Sequence, residues 1–298
     1  MSTTEFVIRA HGDYYAAIED EPADVRALAK QTLGVQVRRV GRFILLALIG
    51  AARCVGAEKP EAHTAIYMSS RRGDLETNLE VMRQLFAERQ SPKPLSFINT
   101  VSNASCYYVA RHFGLHGRSC FLTGVCFSFE SALQTALLDM QAGLARSALV
   151  GGLDTVAAPA AIDRRRLGLG PDAPVAEASH WIWLEARRPA AGEIVLEAAE
   201  FFPDRAGLLT WLSEQAFDPA KTLYAPGQFL SEDEAAAIAR EAGFSRRFTY
   251  RADLAYYDGQ AGAALGRFRD AHDLDAEALA HVNSDPEGRY AVFVARRA

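Results

Sequence analysis

The residues of this 298-residue chain best equipped for nucleophilic or proton-transfer chemistry are four cysteines and seven histidines. Cys126 stands apart among them. It sits at a turn, one or two residues before a helix begins. Ser119 to Val125 is a short apolar run suited to a buried strand. After the turn, Phe129, Ala132, Leu133, Ala136, Leu137 and Met140 recur at helical spacing and make one apolar face. Gly143 stops that helix, and Ala148-Leu-Val-Gly-Gly152 reads as a second buried strand. Strand, turn, helix and strand imply parallel neighbours joined by a right-handed crossover. A thiol at such a turn meets unpaired N–H groups and the positive end of the helix dipole, which favour thiolate. A free cysteine is also commonly a small buried hydrophobe, and that reading stays open. Cys54, Cys106, Cys120 and Cys126 form no CxxC pair, so neither a zinc site nor a disulfide framework is expected, and no cofactor is implied.

The elements that must carry this turn follow from periodicity and punctuation. Glu5 to Ala10 reads as an opening strand, Asp24 to Thr32 as a short helix, and Arg42 to Val55 as a strongly apolar helix stopped by Gly56. His63 to Met68 is a buried strand, followed by a turn at Ser69 to Gly73. Leu75 to Glu88 is amphipathic, with Leu79, Met82, Leu85 and Phe86 on one side, until Pro92 and Pro94 break it. Asn103 to Phe113 is a helix carrying the pair Tyr107-Tyr108. Pro159 to Pro174 reads as a loop holding Arg164-Arg165-Arg166, ordinarily a solvated triplet. Trp181 to Glu185 and Glu193 to Phe201 read as an antiparallel pair. Beyond them come a helix at Leu208 to Gln215, a strand at Lys221 to Ala225, a helix at Glu232 to Ala242 and a strand at Arg247 to Arg251. Helices at Gly259 to Phe268 and Asp275 to Ala280 precede a last strand at Tyr290 to Ala295.

The length suffices for one large unit or two fused halves with a sizeable core. A net charge of −5 leaves no footprint for nucleic acid or an anionic membrane. The start, MSTTEFVIRAHGDYY, lacks the basic-then-apolar pattern of a signal peptide, and the apolar run Phe43 to Ala52 is too short to span a bilayer. A reducing cytoplasm is the expected location.

The whole stretch from Arg118 to Asp154 resembles the nucleophile region of β-ketoacyl synthases, in the thiolase superfamily. Pro94-Leu-Ser-Phe97, Ser102-Asn-Ala104 and His112-Phe-Gly-Leu-His-Gly117 resemble the segments upstream of it. Val175-Ala-Glu-Ala-Ser-His-Trp-Ile-Trp-Leu-Glu185 stands where the family has a glycine-rich turn running into a strand. The resemblance is good over about residues 60 to 200 and weak elsewhere. It implies an α/β, thiolase-like layered fold, α/β/α/β/α. A first half at 1–190 would carry Cys126, and 191–298 would be a shortened second half, the two forming one compact unit.

Family ketosynthases accept an acyl group on the cysteine and decarboxylate a malonyl-carrier thioester with two second-half histidines. The developing enolate oxygen needs such positioned donors. Here Leu223-Tyr-Ala-Pro-Gly-Gln228 and Asp258-Gly-Gln-Ala-Gly-Ala-Ala264 stand where those histidine motifs belong, so Ala225 and Gly259 replace them. No histidine lies between His180 and His272. His272 and His281 read as solvated or structural, and His180 as a core or interface residue. The closing glycine-rich turn is replaced by Asn283-Ser-Asp-Pro-Glu-Gly288.

The resemblance therefore implies a ketosynthase-like partner, or chain-length factor, of the type II polyketide and fatty acid kind, closest to the short aryl polyene members. Such a subunit pairs with a complete ketosynthase, or with itself, and works on acyl carrier protein. Tyr107 and Tyr108 would lie at the interface or acyl tunnel. The arginine triplet would attract an acidic carrier. Cys126 is a departure, since such partners have usually lost it. Two other readings remain open: an autonomous cysteine acyltransferase, and an α/β-hydrolase whose elbow is Gly124-Val-Cys-Phe-Ser128, with His272 or His281 as the base.

Overall fold

A computed structural model of the chain describes residues 5–19, 22–156, 159–272 and 274–298. Residues 1–4, part of the start read for a signal peptide, lie outside the described residues. In chain order the strands are β1 (Glu5–Ile18), β2 (Ala65–Ser70), β3 (Ser119–Thr123), β4 (Ser147–Asp154), β5 (Val175–Arg187), β6 (Ile194–Phe202), β7 (Thr222–Pro226), β8 (Arg246–Arg247), β9 (Ala278–Ser284) and β10 (Tyr290–Arg297). The α-helices are α1 (Arg26–Leu33), α2 (Arg42–Val55), α3 (Leu75–Met82), α4 (Pro94–Asn99), α5 (Ala104–Phe113), α6 (Ser128–Gln141), α7 (Ala160–Arg166), α8 (Arg205–Glu214), α9 (Glu232–Glu241) and α10 (Ala261–Asp270). A π-helical turn, Arg83–Ala87, extends α3.

The strands order as β3-β2-β4-β5-β1-β6-β10-β9-β7-β8. Read outward from the centre, the chain uses one topology twice. In each set the first strand pairs antiparallel with the last, which pairs antiparallel with the fourth; the remaining two pairings are parallel. Among the described residues the two sets meet through two residue pairs, Val7 with Val195 and Ile8 with Ile194.

Period-two alternation sorts side chains between layers. Ile66, Met68, Leu149, Trp181 and Trp183 face an outer layer of α1, α2 and α5. Tyr67, Val150, Ile182 and Leu184 face inward onto α6 and α10, as Leu223, Leu279 and Phe293 do from the second set. Tyr224, Val282 and Val292 face outward onto α8 and α9. The result is the layered α/β/α/β/α arrangement, with α6 and α10 sandwiched between strands. On α6 the buried Phe129, Leu133, Leu137 and Met140 each contribute about 2 kcal/mol. Close approach is built in where needed: a Cβ on Gly12 of β1 would lie 2.1 Å from the Cys54 amide nitrogen of α2.

Several elements depart from the sequence expectation. Asp275 to Ala280 begins strand β9 rather than a helix, because pairing between β7 and β10 overrides local helix propensity. The strands around Trp181 and Phe201 are not partners, since β1 lies between β5 and β6. The arginine triplet belongs to helix α7, and the strand expected at Arg247 to Arg251 is only the two-residue β8. The amphipathic reading of 75–88 has the opposite orientation to a core helix. Thr77, Val81 and Gln84 are buried, while Leu79, Met82, Leu85 and Phe86 face outward.

Candidate active site

Strands β7 and β9 share one direction in the second set, and in the first the C-terminal ends of β2 and β4 point the same way as the β3–α6 turn, as their parallel pairing requires. Cys126 occupies that turn, two residues ahead of Ser128, the first residue of α6. It is half-buried, whereas Cys54 and Cys106 are buried and their thiols are pushed up to about 12 by desolvation. The Cys126 thiol is also raised, not lowered, which corrects the thiolate expectation. Burial is the largest cause; Arg71 opposes it, Asp285 and Glu130 add to it, and Arg289 opposes them.

Four residues past Cys126 comes Glu130, in the first turn of α6. It is 2% exposed, and its Oε1 accepts a 3.0 Å hydrogen bond from the Asn283 amide at the end of β9. Burial raises its carboxyl to about 7. The Asn283 carbonyl oxygen accepts from the backbone N–H groups of Phe229 (3.2 Å) and Ser284 (3.1 Å). Phe127 packs edge-on against Phe201, with ring centroids 5.7 Å apart.

A second group of polar residues joins the two halves. The Ser70 hydroxyl and the Arg71 amide donate to Asp154 Oδ1 at 2.8 and 3.0 Å. The Arg71 guanidinium reaches Asp258 Oδ1 at 2.7 Å, where the Tyr256 hydroxyl also donates at 2.9 Å. Arg72 reaches Asp163 at 2.7 Å. Among the described residues neither Asp154 Oδ2 nor Asp258 Oδ2 accepts a hydrogen bond, although Arg72 pairs with Asp258 Oδ2 at 3.5 Å. The Asp154 carboxyl is raised, by desolvation first and then by the charge of Asp258.

Gly259 adjoins this group, and a Cβ there would lie 3.3 Å from Asp154 Oδ2. Ala225 lies inside β7 opposite His281, fully buried in the central layer. Neither position presents a side-chain donor. His281 is sealed in the core: its ring stacks on Phe293 at 4.5 Å and meets the Tyr250 hydroxyl at 3.0 Å, and burial lowers it to about 3. His180 is likewise buried, 2.8 Å from the Tyr257 hydroxyl, and desolvation lowers it. His272 is exposed just past the end of α10. The hydrolase reading falls with the topology, which is the duplicated layered one. Tyr107 is exposed on α5, and Tyr108 is half-buried beside it with ring centroids 5.5 Å apart. Of the triplet, Arg164 bonds the Glu19 and Ala173 carbonyls and Arg166 pairs with Asp163, while Arg165 is exposed. Among the described residues, no group of three or more His, Cys, Asp or Glu is placed to hold a metal ion.

Residues 10–168 match the family described as beta-ketoacyl synthase, N-terminal domain. The chain belongs to the β-ketoacyl synthase family. Solved structures agree on the fold of this ketosynthase-family chain. The ishigamide ketosynthase/chain length factor is 16% identical, with a TM-score of 0.73, over 98% of this chain and 99% of its own. A type II polyketide acyl-carrier protein in complex with its ketosynthase bound to the hexaketide, AntDE:AntF, gives 13% and 0.75 over 99% and 100%. A β-ketoacyl synthase from Burkholderia phymatum gives 13% and 0.70 over 99% and 100%. No curated protein matches the chain. Glu130, Arg71, Asp154 and Asp258 were not singled out from sequence. Their local signals were a turn at 69–73, an aspartate ending a Gly-Gly strand, and the segment Asp258 to Ala264 that stands at a family histidine motif.

Proposed function

We propose that the chain is a ketosynthase-like chain-length-factor subunit. It pairs with a complete ketosynthase in type II polyketide or fatty acid biosynthesis of the aryl polyene kind and shapes the acyl tunnel. One observation carries this reading. The residues standing where the family's enolate-stabilising histidines belong are Ala225, packed in the core, and Gly259, without a side chain. The second-half histidine that is inside the fold, His281, is held neutral against Phe293. Decarboxylative condensation needs donors aimed at a developing oxyanion, and these positions supply none.

The surface supports the pairing. Strand β3 ends the strand order with an open edge, which invites a partner. Helix α5 lies against β3, α4 against α5, and α3 against α4. These elements leave Phe86, Phe97, Ile98, Val101 and Tyr107 exposed, with Val125 beyond β3. The partner is a complete ketosynthase, and the carrier protein delivers acyl groups to the pair. The 1–190 and 191–298 halves act as one unit, since Arg71 of the first is bonded to Asp258 of the second. A second reading, a cysteine acyltransferase without condensation, is favoured by the retention and half-burial of Cys126.

The test is product profiling of the pair reconstituted with its cognate ketosynthase. Tyr107→Ala or Tyr108→Ala, in dimers shown to be intact, lengthens the products, because tunnel bulk limits how many methylenes fit. An unchanged chain-length distribution from intact variant dimers removes the tunnel role. Failure to form any complex with the ketosynthase removes the pairing itself.

A further inference from the structure

Glu130 is the third residue of α6, four residues beyond Cys126, and the two feel each other's charge at the N-terminal end of the helix. Its position is fixed from the other half of the molecule. Asn283 uses its carbonyl oxygen for two backbone N–H groups, so its amide nitrogen must face Glu130 and donate to Oε1. A carboxylate in the first turn takes up the positive end of the helix. A thiolate at Cys126 would use the same end. Two anions there repel, and coupling between two ionisations is reciprocal.

The geometry points to Glu130 as a positioning residue that competes with Cys126 for the N-terminal end of α6 and holds the thiol in its unreactive form, with Asn283 setting the strength of that hold. The idea deepens the partner-subunit reading and rests on it only in taking Cys126 as a thiol not called on for condensation. The charged and titratable neighbours of Cys126 are Arg71 from the turn after β2, Asp285 and Arg289 from the β9–β10 turn, and Glu130 itself. Glu130 faces Asn283 of β9, and Tyr250, bonded to His281, feels its charge. Because burial brings the Glu130 carboxyl to about 7, its ionisation changes across neutral pH. As pH rises through that value Glu130 becomes charged and the thiol is held back. The rise of thiolate with pH is therefore delayed.

Iodoacetamide labelling of the full chain over a pH series, read peptide by peptide by mass spectrometry, tests this. Glu130→Gln keeps an acceptor for Asn283 but removes the charge. It accelerates Cys126 labelling above neutral pH by about fivefold to tenfold, a thiol shift approaching one pH unit, and moves the profile to lower pH. Cys120, half-buried on β3, serves as the control and keeps its rate. Asn283→Ala weakens the ionised form of Glu130, so it accelerates Cys126 in the wild-type background and adds nothing in the Glu130→Gln background. A Glu130→Gln profile superimposed on wild type overturns the proposal. Equal acceleration of Cys120 does so too, since it marks a loosened fold. If Glu130→Gln does not fold, Asn283→Ala decides alone, and no change in Cys126 labelling overturns the proposal. Such failure would leave pairing with a ketosynthase untouched, whereas condensation by the isolated chain would remove that reading without altering the labelling result.

Discussion

Asp154 ends β4 with Oδ1 held by the Ser70 hydroxyl and the Arg71 amide, and with Oδ2 buried and without a hydrogen bond among the described residues. Its carboxyl is raised by desolvation and by Asp258, with Arg72 opposing. A folded value above the unfolded one favours the neutral form. The stabilisation it gives is complete below the unfolded value, near 3.8, and is lost as pH rises through the higher folded value. Asp154→Asn keeps the acceptor for Ser70 and Arg71 and cannot ionise. Its stability relative to wild type should therefore climb from acid to neutral pH, by on the order of 1 kcal/mol. Urea unfolding at several pH values reads this out, and a difference flat with pH would contradict it. His281 works in the opposite sense: its neutral form is stabilising above the unfolded value and that contribution is lost as pH falls toward about 3. At this scale the sequence was partly legible. Cys126 was visible because a strand and a periodic helix frame it. Glu130 was not, because what makes it consequential is Asn283, 153 residues away.

Helix α3, its π-helical extension, α4 and α5 form a run of elements that each expose large apolar residues while Val81, Cys106 and Val109 take the core side. Phe86 is 64% exposed and Phe97 and Ile98 are each 58% exposed. Sequence periodicity identified an apolar face on 75–88 but not which way it points, because Val81 and Gln84 take the core side and Asp74 caps the helix through the Thr77 amide. Placing charge at such exposed positions costs the monomer little, within about 0.5 kcal/mol. Phe97→Asp with Ile98→Asp should thus leave the thermal midpoint of the isolated chain nearly unchanged and abolish its complex with the cognate ketosynthase in size-exclusion chromatography. Survival of the complex at unchanged elution would place the interface elsewhere. Local helix propensity misled at Asp275 to Ala280, where a central strand between β7 and β10 is enforced by its neighbours.

The whole molecule is one five-strand topology used twice, with α6 and α10 as equivalent central helices between the two strand sets. No self-similarity in the sequence reveals this, since layered packing requires only apolar residues of suitable size, and many sequences satisfy that. The equivalence gives Gly259 its meaning: it precedes Ala261 of α10 by two residues, as Cys126 precedes Ser128 of α6. One helix start is preceded by a thiol and its counterpart by a residue with no side chain. No helix among the described residues is long and apolar enough to cross a membrane. The measurement that tests the central claim most directly is a condensation assay with the purified chain, acyl-loaded carrier protein and malonyl-loaded carrier protein, read by mass spectrometry of the carrier arms. The account predicts no β-ketoacyl product from the chain alone, product on adding the complete ketosynthase, and the same product when Cys126 is replaced by Ala. A β-ketoacyl product from the chain alone that disappears in Cys126→Ala would contradict it.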